Sequence, residues 1–87
     1  MKNNILKTHR VLSQVTQDET SAGTGITQAR LSRLETRSNS DLVQSITVNE
    51  IERLTAFFNA YDGTGDELRD VIFEATFREI TGENLFN

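Results

Sequence analysis

Thr16-Gln17-Asp18-Glu19-Thr20-Ser21-Ala22-Gly23-Thr24-Gly25-Ile26-Thr27-Gln28-Ala29-Arg30-Leu31-Ser32-Arg33-Leu34-Glu35-Thr36-Arg37 holds two short helical patterns around one break. Thr16 and Glu19 stand at capping-box spacing, in which the hydroxyl accepts a first-turn N–H and the carboxylate reaches back to the cap N–H. That signature starts a helix over about residues 17–23, which stops near Gly23 and Gly25. A glycine in the break tolerates the left-handed backbone that ends one helix and sends the next off at a steep angle. Thr27 then caps a helix over about 28–36, and Ile26 is placed to plug the core between the two. Two helices joined this way form a helix-turn-helix layout.

The second of these helices can be read by its faces. Leu31 and Leu34, three apart, point inward. At about 100° per residue, Ala29, Ser32, Arg33 and Thr36 then point outward, with Gln28 and Arg37 at the edges. Glu35 points away from that face, which carries no acid. Glutamine can pair with adenine through two hydrogen bonds, arginine with guanine through its fork, and alanine can touch a thymine methyl. The same residues also suit an ordinary solvated helix surface. The preceding turn and the basic charge gathered around it favour a helix aimed at the major groove of DNA.

Outward from this stretch, Thr47-Val48-Asn49-Glu50 and Thr64-Gly65-Asp66-Glu67 repeat the capping-box pattern. The reading is an all-α chain of five helices, over about 3–13, 17–23, 28–36, 48–60 and 66–81. Ile5, Leu6 and Leu12 are expected inward on the first helix, and Ile51, Leu54, Phe57 and Phe58 form one stripe on the fourth. On the fifth, Leu68, Val71, Ile72, Ala75 and Ile80 fall at helical spacing. Residues 37–47, rich in Ser and Asn, read as a polar loop. Residues 1–60 form the helix-turn-helix region, and 61–87 a C-terminal helix and tail within the same compact domain.

Composition narrows the function. A chain of 87 residues makes one domain with one modest core. It has no cysteine and one histidine, so disulfides, thiolate metal sites and zinc fingers are excluded, and no cofactor is expected. No apolar run approaches the roughly 20 residues of a membrane span, and the N-terminus lacks a secretory signal, which predicts a cytoplasmic protein. The net charge of −4 hides a division: residues 1–40 carry six basic and three acidic residues, and residues 41–87 three basic and ten acidic. Such asymmetry suggests a nucleic-acid face joined to an acidic partner or solvent face. His9 reads as a surface residue with no base-orienting partner. Asp62-Gly63-Thr64-Gly65-Asp66 places Phe73 where a calcium loop needs its closing Glu, and Gly63-Thr64-Gly65 has no Lys behind it to make a phosphate loop. Without a catalytic cluster, the chain does not read as an enzyme.

Thr16-Gln17-Asp18-Glu19, then Ser21, then Gly25 through Glu35 resemble the phage Cro/repressor-type helix-turn-helix family, also called XRE-type or lambda-repressor-like. The strict match covers about 20 residues and extends through Thr47, Val48, Ile51 and Leu54 to about residue 60. The resemblance implies a five-helix lambda-repressor-like domain that binds double-stranded DNA. Gln17 would contact a phosphate and brace Gln28, while Gln28, Ala29 and Arg33 would meet bases. Thr27, Arg30, Ser32, Thr36, Arg37, Ser38 and Asn39 complete the expected DNA-binding set. Arg10 and Glu35 would form a largely buried ion pair between the first and third helices. Gly23 within the second helix costs about 1 kcal/mol relative to Ala, and predicts that this helix frays until DNA is bound.

The fifth helix carries more apolar surface than one stripe needs, through Phe73, Phe77, Leu85 and Phe86. Leu68, Val71, Ile72 and Phe77 are therefore expected at a twofold interface, which would set two recognition helices about 34 Å apart on a palindromic operator. The alternative is that this helix completes its own core. The functional expectation is a homodimeric transcriptional regulator, a repressor by resemblance. The competing expectation is an antitoxin or other interaction protein whose acidic last helix binds a protein partner.

Overall fold

The computed structural model describes the backbone of residues 3–81 and the side chains of residues 3–78. Among the described residues it is all-helical: α1 (Ile5–Leu12), α2 (Gln17–Thr24), α3 (Gln28–Thr36), α4 (Asn39–Ser45), α5 (Val48–Tyr61) and α6 (Gly65–Thr81). Local chemistry sets most of the boundaries. Asn4, Thr16, Thr27, Ser38 and Thr47 each accept a first-turn N–H of the helix that follows. Thr16 with Glu19 and Thr47 with Glu50 form complete capping boxes.

Two of these starts depart from the sequence reading. Thr64 does not pair with Glu67. Its hydroxyl lies 2.5 Å from Asp62 Oδ1 and 2.8 Å from His9 Nε2. The first turn of α6 is held instead by Asn59, whose Oδ1 accepts from Asp66 N at 3.0 Å. The 37–47 segment is not a loop, and the described helices number six, not five. Ser38 Oγ accepts from Asp41 N at 3.1 Å to start α4, which sends Leu42 and Ile46 into the core. The Ser-x-x-Asp cap pattern was present in the sequence, but the polar composition around it hid the two apolar residues that matter.

Leu6, Val15, Ile26, Leu31, Leu34, Leu42, Ile46, Ile51, Leu54, Phe58, Leu68 and Ile72 form one core. α6 packs on α5, α4 and α1, so every helix is tied directly or through one neighbour to the last. Its approach to α5 is close: a Cβ at Gly65 would run into the Thr55 carbonyl. Leu68 and Ile72, expected at a twofold interface, are buried in this chain's own core instead. Val71 and Phe77 of that set are 40% and 63% exposed, as is Phe73 at 49%. Leu85 and Phe86 lie outside the described residues, as does the side chain of Ile80. Leu12, expected inward, is 78% exposed. It follows Leu6 by six residues, which at about 100° each carries it well round the helix from the buried face.

α2 runs through Gly23 to Thr24. The ring of Phe57 occupies the space that a Cβ at Gly23 would need. The glycine thus gives up intrinsic helix propensity for close packing of α5 on α2. No helix among the described residues is long and apolar enough to cross a membrane.

Candidate nucleic-acid interface

The geometry of α3 is set by the turn that precedes it. Gly25 ends α2 in the left-handed region at φ 77°, and its N–H donates to Ser21 O at 2.9 Å. Ser21 Oγ donates to Ile26 O at 2.6 Å, and Ile26 N donates to Thr24 Oγ1 at 3.1 Å. Thr24 Oγ1 in turn donates to Thr20 O at 2.7 Å. Thr20, Thr24 and Ile26 are all buried, so the turn is held by hydrogen bonds shielded from water. Arg53 of α5 adds a donor from outside, Nη1 to Thr24 O at 3.2 Å.

The outward side of α3 carries Gln28, Ala29, Arg33 and Thr36, all exposed, with Ser32 half-buried beside them. Thr27 is exposed at the head of the helix, where its hydroxyl accepts from Arg30 N at 3.2 Å. Arg33 makes no ion pair among the described residues. Leu31 and Leu34 are fully buried behind this face.

The acid of α3 is neutralised underneath. Arg10 Nε and Nη2 lie 2.6 Å and 3.0 Å from the two oxygens of Glu35, whose side chain is 1% exposed. Gln17 Nε2 donates to Glu35 Oε1 at 2.9 Å, and Arg10 Nη1 donates to Val15 O at 2.9 Å. Glu35 therefore presents no free charge to the outward face. The Gln17 amide nitrogen faces Glu35, in place of the brace to Gln28 that the resemblance implied.

Arg30, placed in the DNA-binding set by sequence, is tied elsewhere. Its Nε and Nη2 contact Glu50 at 2.8 Å and 3.0 Å, and Nη2 also donates to Ser45 O at 2.8 Å. Hydrogen bonding to Arg30 holds the Glu50 carboxyl below its ordinary range, and the same bonds raise the Arg30 guanidinium. Arg30 is accordingly a bridge from α3 to α5, and it leaves the outward face to its neighbours.

At the far end of α3, Arg37, Ser38 and Asn39 lead into α4. Arg37 is half-buried, and its Nε is buried with no hydrogen-bond partner among the described residues. Ser38 is occupied as the cap of α4, and Asn39 Oδ1 accepts from Ile5 N at 2.9 Å. Asn4, which the sequence reading passed over, donates from Nδ2 to both Leu34 O and Arg37 O. An Asn just before an apolar run signals a helix cap, but its reach to a helix thirty residues away left no trace in the sequence.

His9 is half-buried, not the free surface residue expected. Its ring meets Phe58 edge-on at 4.7 Å, and Nε2 lies 2.8 Å from Thr64 Oγ1. Burial lowers its pKa, opposed by the charges of Asp62 and Glu67. Among the described residues no group of three or more His, Cys, Asp or Glu is placed to hold a metal ion. Comparison with protein-family models, with curated proteins and with solved structures finds no match for this chain.

Proposed function

We propose that this chain is a sequence-specific DNA-binding regulator of the Cro/repressor-type, lambda-repressor-like helix-turn-helix class, acting as a homodimeric repressor on a palindromic operator. The observation that carries the reading is the outward face of α3: Gln28, Ala29, Ser32, Arg33 and Thr36 side by side, without an acid, on a helix whose entry turn is locked. Gln28 and Arg33 are the base readers, Ala29 the apolar contact, and Thr27, Ser32 and Thr36 shorter-range partners. Arg37, Ser38 and Asn39, beyond the end of α3, are placed to meet phosphates. The homodimer draws on Val71 and Phe73 of α6, two exposed apolar side chains next to the core stripe.

Selection of bound duplexes from a random pool, followed by titration at fixed salt, tests the reading. Arg33→Ala should weaken binding to the selected duplex by about 1–3 kcal/mol and relax preference at one base pair. Equal loss on selected and unrelated duplexes would remove Arg33 from base reading. A wild-type chain that enriches no duplex would remove DNA binding altogether.

A further inference from the structure

We propose that Asn4 is a positioning residue for the DNA-contacting end of α3, holding Arg37 where it meets a phosphate. The role of Arg37 rests on the DNA-binding reading above, while the grip of Asn4 on α3 stands on its own geometry. Asn4 is 5% exposed, and its carboxamide makes three hydrogen bonds. Oδ1 accepts from Lys7 N at 2.9 Å and caps α1. Nδ2 donates to Leu34 O at 2.7 Å and to Arg37 O at 2.9 Å.

The last carbonyls of a helix lack intrahelical partners and carry the negative end of its dipole. Left open, those at the end of α3 would repel an approaching phosphate. The Asn4 amide covers one of them, Leu34 O, and ties down the Arg37 carbonyl, which the extended cap residue turns out of the helix. Asn39 completes the junction in the opposite direction, since its Oδ1 takes the N–H of Ile5, a donor that α1 leaves unpaired. The start of α1, the end of α3 and the start of α4 are thereby locked through two asparagines, with Arg37 between them. The Nε of Arg37 is buried there, with no hydrogen-bond partner among the described residues.

Asn4→Ser in the full chain separates the two functions of Asn4, because serine caps α1 as well as asparagine does but has no amide donor to offer α3. In the free protein, 15N relaxation should show backbone order falling at residues 36–38 while the first turn of α1 is unchanged. Unchanged order at 36–38 would overturn the proposal whether or not the chain binds DNA. On duplexes, Asn4→Ser should lower affinity by up to about tenfold for selected and unrelated sequences alike, because binding must then order the loosened end of α3. It should add little once Arg37→Ala is present. A loss that adds in full to that of Arg37→Ala would overturn the positioning role. A wild-type chain that binds no duplex would defeat the DNA-binding reading, and the relaxation measurement would still decide whether Asn4 holds the end of α3. Should Asn4→Ser lose its helical circular dichroism, Asn4→Thr keeps a capping hydroxyl, fills more of the space, lacks the amide donors, and takes its place with the same outcomes.

Discussion

α3 and α6 both bury one apolar stripe, but their outward faces are chemical opposites. α3 shows amide, hydroxyl and guanidinium groups with no acid among them, while α6 shows Asp66, Asp70 and Glu74 around Phe73 and Phe77. Cation counts alone would not have separated them so cleanly. Of the basic residues in the N-terminal half, Arg10 is neutralised by Glu35 and Arg30 by Glu50, while Arg33 on the α3 face has no ion pair among the described residues. On α6, Arg69 and Arg78 sit beside Asp66 and Glu74 in exposed pairs, which contribute little to stability. Pairing, more than composition, decides which charge a partner meets.

The sharpest way to break the α3 side is to remove the cation beneath it. Arg10→Met should cost about 3–5 kcal/mol, because Glu35 would be left charged, buried and held only by Gln17. Urea unfolding measures this. A loss under about 1 kcal/mol would mean that water or a rearranged side chain replaces Arg10.

The α6 side splits within one turn. Ile72→Ala, from the buried stripe, should cost about 2–5 kcal/mol. Phe73→Ser, one residue on and half exposed, should change stability by well under that amount. If Phe73 lies at a twofold contact, the same variant should remain folded and sediment as a monomer. A wild-type chain that is itself monomeric would remove the homodimer from the proposed function and leave the α3 reading intact.

The smallest expected effect lies at the seam of α1 with the α5–α6 turn. Burial lowers the pKa of His9 below its ordinary 6.5. Below that pH the unfolded chain takes up the proton first, so stability is full at neutral pH and declines as the pH drops through 6.5 toward the folded value. His9→Gln should flatten that part of the profile. Asp62, held below 3.8 by its bond from Thr64, acts lower: its contribution is present above 3.8 and is lost as the pH falls further. An identical pH profile in wild type and His9→Gln would show that the His9 proton is not linked to folding.

Helix starts were readable because a cap is a contact between residues three apart. Thr16, Thr27 and Thr47 begin α2, α3 and α5 where their side chains indicate. The faces of α3 followed from the same locality, since Leu31 and Leu34 fix its rotation. Thr64 shows the limit: its cap spacing was present, but Asp62 and His9 took the hydroxyl, and His9 comes from 55 residues away.

By itself the sequence determined an all-helical chain, the span of α3, and which of its side chains turn outward, because those features depend on contacts within a turn or two of helix. Only the tertiary structure decided which charges stay open, since nothing near Arg30 in the sequence shows that Glu50 arrives from α5 to claim it. It also decided that Leu68 and Ile72 face inward, because a helical stripe has the same period whether its own core or a second chain covers it. The junction of Asn4 with the end of α3 was invisible for the same reason: a hydrogen bond across thirty residues leaves no periodicity to read.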